Sequence, residues 1–219
     1  MKIKRFENLK VLLKRLLFNY KYLLLILFII FNKVIIAQNI SKTIDSMIVE
    51  DQKWRGFLRQ LENEQFDSLP KEIILQNIKL TDSLNYNNLK SIFSKFGFPN
   101  YKLVGKQTSH NFWLLVQHSD NYPKFQKNVL KGMKVEVKNK NANAQDYAYL
   151  LDRVKINNGK KQVFGTQMIL NSDSSSYVPK PVLSILYLNK RRKEMGLPSI
   201  EEYIKLMNER YFGTLKTAN

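Results

Sequence analysis

The chain has 219 residues, no cysteine, and 36 Lys/Arg against 18 Asp/Glu, a formal net charge of +18. Without cysteine there is no disulfide, thiolate metal site, cysteine nucleophile or lipid-modified cysteine, so an apolar core must hold the fold unaided. Much of the charge sits in the first 37 residues, where eight basic residues meet one acid, Glu7; the other 182 carry 28 basic and 17 acidic residues, net +11.

Lys2, Lys4, Arg5, Lys10, Lys14, Arg15 and Lys21 precede the apolar run Tyr22–Phe31. A basic stretch followed by an apolar one is the pattern of an export signal. Val34-Ile-Ile-Ala37 comes next, with small Ala37 suited to the last position before cleavage and Ile35 bulky for the other small-residue position. The expectation is a signal peptide over 1–37, cut before Gln38, which sends residues 38–219 to the periplasm or the exterior. An uncleaved anchor is the alternative. As a helix, Tyr22–Ala37 rises about 24 Å at ~1.5 Å per residue, short of a hydrocarbon core of roughly 30 Å, so cleavage is favoured. Membrane contact is expected only through this segment.

From Gln38 onward the length suits one domain. Ile44, Ile48, Trp54, Phe57, Leu58 and Leu61 recur at helical spacing, with Ser41 as the expected N-cap and an end near Asn63. After Pro70, Thr81 or Asp82 is expected to cap a second helix that Gly97 and Pro99 stop. Gly105–Ser109 reads as a polar approach to a buried helix around Phe112–Val116. Lys124 to Lys138 and Gln145 to Arg153 follow as helices. Asn157-Asn158-Gly159 signals a turn, with Lys161–Phe164 and Gln167–Leu170 as the expected strands. Leu183–Met195 ends at Gly196, and Ser199-x-x-Glu202 is a capping box for Ile200–Tyr211. The fold class is therefore mainly α: a single helical domain with a small β-hairpin, preceded by the signal segment.

The lysines look scattered and arginine is scarce, so the positive charge reads as compositional drift and nucleic acid is not expected as a partner. A small molecule or an envelope component is. The two histidines, His110 and His118, flank Phe112–Val116. Eight residues apart on one helix, they sit about 12 Å apart along its axis, too far to share one metal ion. His118, in Gln117-His118-Ser119-Asp120, is the expected proton-moving group, against the plainer reading of a helix C-cap favoured by the macrodipole. Asp152 stands unfavourably at a helix C-terminus and needs a partner; Arg153 could clamp an anion. Gln162, Thr166 and Gln167 supply amide and hydroxyl groups beside Gly165, whose missing side chain permits close approach. Arg191-Arg192 reads as a solvated helix face. There is no glycine-rich phosphate loop and no nucleophile elbow.

Taken in order, Asp51-Gln52 with Arg55, Asp82-x-x-Asn85 leading to Phe96-Gly-Phe-Pro99, Trp113-Leu-Leu-Val-Gln-His-Ser-Asp120, Tyr147-Ala-Tyr-Leu-Leu-Asp-Arg153, Gln162-Val-Phe-Gly-Thr-Gln167 and Arg191-Arg192 with Gly196-Leu197 resemble a bacterial domain-of-unknown-function family over about residues 45–205. Phe164 stands where the family pattern has tyrosine. The resemblance implies no activity, but it points to the same polar residues.

The expectation is one concave polar site: His118, Asp152 and Arg153 as catalytic groups, with Asp152 or Asp120 orienting the ring, and Gln117, Asp120, Gln162, Thr166 and Gln167 as ligand-binding groups. No metal or cofactor is committed to it. An acid/base enzyme and a non-catalytic envelope binding module both stay open.

Overall fold

Apolar faces at helical spacing dictate helices, and helices dominate. In the computed structural model, residues 2–65 and 68–213 are described, the side chains of 2–19 and 21 excepted. The chain divides into two compact units, Met1–Thr43 and Ile44–Asn219. Helix α1 runs from Lys2 to Glu62 and contributes to both.

In the first unit, the side chains from Leu23 to Phe31 are about half exposed along the helix. α1 is long and apolar enough to cross a membrane, with an 18-residue window of mean hydropathy 2.2. Ser41 does not cap a new helix, because the helix never breaks there. The side chains of Asn32 and Thr43 bond back to the carbonyls of Phe28 and Asn39, four residues earlier, and so stay within the helical ladder.

The second unit is mainly α with one small hairpin. Its helices are the end of α1, then α2 (Lys71–Phe96), α3 (Tyr101–Gln117), α4 (Pro123–Lys138), α5 (Ala144–Ile156), α6 (Leu188–Glu194) and α7 (Ile200–Phe212). α2 starts ten residues before the expected cap. Pro70 opens it with φ already near the helical value, and the buried positions Ile74, Thr81, Asn85, Leu89 and Ile92 form one stripe. Thr81 and Asp82 are therefore mid-helix residues facing inward.

Asn100 caps α3 by accepting from the Leu103 amide, and Gly105 kinks it one turn later with φ 80° and ψ 171°. The straight part that follows buries Phe112, Trp113, Leu115 and Val116. α3 packs on α2, α4 and α5, and α4 packs along α5. Ile44, Ile74, Leu89, Phe112, Val129, Met133 and Leu150 make the core, each essentially without exposed surface.

The hairpin is not the one expected. β1 (Met168–Leu170) pairs antiparallel with β2 (Tyr177–Pro179), placing Ile169 opposite Val178. The turn is the polar loop between them, where the Asn171 side-chain oxygen accepts from the Ser175 and Ser176 amides. Residues 161–164 make only a lone bridge, Gln162 with Val182, because Asp152 of α5 takes the amides of Val163 and Phe164. The Ser199–Glu202 capping box forms as expected and starts α7. Leu188, Ile200 and Tyr203 close a second apolar cluster against Tyr149 of α5.

Gly105 occupies backbone space that is essentially restricted to glycine, with nothing within 4 Å of where a Cβ would stand. Gly105→Ala is expected to cost about 1–3 kcal/mol through the backbone alone, read by urea unfolding of the chain; a loss under ~0.5 kcal/mol would contradict the role given to the kink.

Candidate functional site

Histidine is the side chain whose proton exchanges most readily near neutrality, so its partners decide what it can do. His118 ends α3 as its C-cap, with its backbone N–H on the last carbonyls of the helix. Its Nδ1 lies 2.9 Å from Oδ1 of Asp51, a residue of α1 with no exposed surface. The second oxygen of Asp51 accepts from the Gln52 side-chain amide at 2.8 Å. Arg55, one turn on, is 3.3 Å from Asp51 and donates to both oxygens of Asp82 on α2, at 2.9 and 3.0 Å. Three helices thus meet in His118, Asp51, Arg55 and Asp82.

Geometry and charge in this cluster have chemical consequences. With a carboxylate as its partner, Nδ1 is the donor, which leaves Nε2 to take or give a proton. The His118 side chain keeps 16% of its surface, whereas Asp51 keeps none. Burial pushes the Asp82 carboxyl up, against the pull of Arg55. One turn along α2, buried Asn85 has a side-chain N–H₂ with no hydrogen-bond partner, while Arg55 Nη1 is the atom that pairs with Asp51 at 3.3 Å. The cluster therefore combines a carboxylate-bonded imidazole with one buried donor that has no partner. Asp51, Asp82 and His118 offer ligand atoms within 4.8 Å of one another, the set that could hold a cation, although the Arg55 guanidinium already supplies positive charge to both carboxylates.

Asp152 is engaged elsewhere. It is fully buried, and its two oxygens accept from the amides of Val163, Phe164 and Thr166 and from the Thr166 hydroxyl, at 2.6–3.1 Å. Burial leaves its carboxyl above the ordinary range despite the pull of these donors. Since four protein donors converge on the two oxygens, the carboxylate is the form that satisfies them. Gln162 bonds inside the same loop, to the Gln167 and Lys180 carbonyls and from the Gln167 amide, and the Gln167 side chain donates to Thr166.

Arg192 is not a solvated residue but a fully buried one, donating to the carbonyls of Phe164 and Pro198 and lying 5.0 Å over the Tyr203 ring. Arg191 holds the Val163 and Leu183 carbonyls. Gly165 lets this happen: at φ +67° its missing Cβ would stand 3.0 Å from Ile200 Cδ1. What approaches Gly165 closely is α7.

The third group is built on Asp120, which takes Arg153 in a forked pair at 2.6–3.2 Å together with the Asn157 and Gln126 amides. Burial raises its carboxyl, but Arg153 and these donors outweigh that and hold it below the ordinary range. Gln126 also donates to the Val116 carbonyl, with a longer 3.5 Å contact to that of buried Gln117. In the middle of α3, His110 Nδ1 sits 2.9 Å from Asp146, which raises its basicity.

The expected site residues therefore fall into three hydrogen-bonded groups rather than one. His118 is bonded to Asp51, not to Asp152 or Asp120; Asp152, Gln162, Thr166 and Gln167 form a loop lock; Asp120 and Arg153 pair with each other. The described clefts of 460–560 Å³ are lined by other residues. Asp51, Arg55, Asp82 and Asn85 were not among the expected site residues. Their signal was present in the Asp51–Arg55 spacing of four and in polar residues interrupting the inward stripe of α2.

A family model matches residues 39–216, nearly all of the chain beyond the apolar segment, and the chain belongs to that family, described as Family of unknown function (DUF6624). No curated protein and no solved structure matches it.

Asp152→Asn keeps the shape but turns a donor toward amides that need an acceptor. Its expected cost is about 3 kcal/mol, against less than about 1 kcal/mol for Arg153→Ala at the half-exposed pair. Chemical denaturation of both variants checks the order, and equal losses would contradict the lock.

Proposed function

We propose that this is an exported protein whose second unit carries an acid–base site centred on His118, acting on a polar or anionic ligand. The export half rests on the basic N-terminus followed by a membrane-length apolar helix, which would leave residues 44–219 on the far side of the cytoplasmic membrane. The chemical half rests on one observation: a wholly buried aspartate bonded to Nδ1 of a histidine that stays accessible.

In this reading Asp51 fixes the tautomer and supports the imidazolium when it forms, and Nε2 exchanges the proton with the ligand. Arg55 positions Asp51 and Asp82, and Asn85 offers its unpartnered N–H₂ to a ligand oxygen. A non-catalytic binding module is the competing reading, favoured by the way Arg55 ties both carboxylates together.

A thermal-shift screen of the full chain in detergent, with carboxylated, phosphorylated and neutral sugars as probes, tests it. The expected result is a stabilising compound whose shift disappears in His118→Ala and Asn85→Ala and survives in Arg153→Ala. A compound whose shift survives both of the first two substitutions would contradict the site.

A further inference from the structure

Lysines that look scattered along the sequence are not scattered in space. Lys124, Lys127, Lys131 and Lys134 fall at intervals of three, four and three residues on α4, which is one face of a helix. All four line a single cleft of about 520 Å³ along α4 and α5. They are exposed, and none takes part in any of the ion pairs among the described residues. Lys127 does have one fixed partner, the Asn158 side-chain oxygen at 2.7 Å.

The cleft is completed by groups that carry no charge. Tyr147, Leu151 and Val154 of α5 and Leu130 of α4 supply apolar surface beside the ammonium groups. A ligand for it has an anionic edge and an apolar face. The four lysines span ten residues of helix, about 15 Å at ~1.5 Å per residue, so a single headgroup would leave most of them unpaired. A second cleft shares Lys124 and Asn128 with the first and adds Lys90 and the Tyr86 and Phe93 rings. The basic track therefore continues past one end of the stripe.

We infer that this track binds an acidic polysaccharide, with its repeating acid groups on the lysines and the C–H faces of its sugar rings on Tyr147 and Leu151. Linear repetition of charge matches the stripe, and sugar ring faces match the apolar wall. Single-stranded nucleic acid has a similar layout, but its phosphates favour the bidentate fork of arginine, and the cleft lining contains no arginine. The inference concerns a different surface from the His118 cluster and does not depend on it.

The test is binding of an oligouronate of about eight sugars to the full chain in detergent, beside a neutral glucan of equal length and an oligothymidylate, each over a salt series. The expected result is oligouronate binding that weakens steeply with salt, no binding of the glucan, and weaker binding of the oligothymidylate. Lys124→Ala/Lys131→Ala/Lys134→Ala alters only exposed side chains and should lower oligouronate affinity about ten-fold or more and flatten its salt dependence, while the corresponding triple arginine variant retains binding. Absence of oligouronate binding, affinity unchanged in the triple alanine variant, or tighter binding of the oligothymidylate would each overturn the inference. The last would assign the track to nucleic acid.

Discussion

A carboxylate without exposed surface must find its donors inside the protein, and Asp152 finds four in one short loop. Leaving it unsatisfied would cost several kcal/mol, so the loop has little freedom to be anywhere else. Once residues 163–166 face Asp152 with their amides, their carbonyls point the other way. Arg191 and Arg192 collect those carbonyls. Tyr203, a phenol kept protonated by burial and by Tyr149, adds a bond to the Thr166 carbonyl. The helical core, the loop, α6 and α7 are joined through this one carboxylate.

The His118 cluster follows a different logic. Its charges come from three helices: two carboxylates, one guanidinium paired with both, one imidazole, and beside them one buried donor without a partner, the Asn85 side-chain N–H₂. The Asp152 carboxylate is satisfied by its four donors, whereas Arg192 Nη2 beside the loop makes no hydrogen bond. In the proposed reading, the unpartnered Asn85 N–H₂ is what a ligand oxygen would use. Each group holds a buried side-chain N–H without a hydrogen bond, Asn85 Nδ2 in one and Arg192 Nη2 in the other, so what sets the cluster apart is the partly exposed imidazole of His118 on its buried carboxylate.

Local chemistry was legible in the sequence wherever it was self-contained. The Ser199 capping box, the Gly196 stop and the span of α4 depend on neighbours within a turn, and they form where the spacing puts them. The mainly helical class with a small hairpin was legible for the same reason. What could not be read were choices made at long range. Ser41, Thr81 and Asp82 are good caps in isolation, but continuous apolar stripes carry the helices through them. Gln162, Thr166 and Gln167 look like ligand groups because their partners, Asp152 and the Lys180 carbonyl, lie far away in sequence. Arg192 looks solvated because its carbonyl acceptors sit mostly in a loop about thirty residues back. His118 was recognisable as a candidate, whereas its partner Asp51, 67 positions earlier, was visible only as part of a motif.

The central claim is that Asp51 holds His118 with its proton on Nδ1 and leaves Nε2 free for exchange. Long-range ¹H–¹⁵N correlation of the imidazole nitrogens measures this directly, comparing the full chain with its Asp51→Asn variant at a pH where the ring is neutral. The account predicts the Nδ1–H tautomer in the unaltered chain and its loss in the variant. A dominant Nε2–H tautomer in the unaltered chain, or a tautomer ratio indifferent to Asp51→Asn, would contradict it.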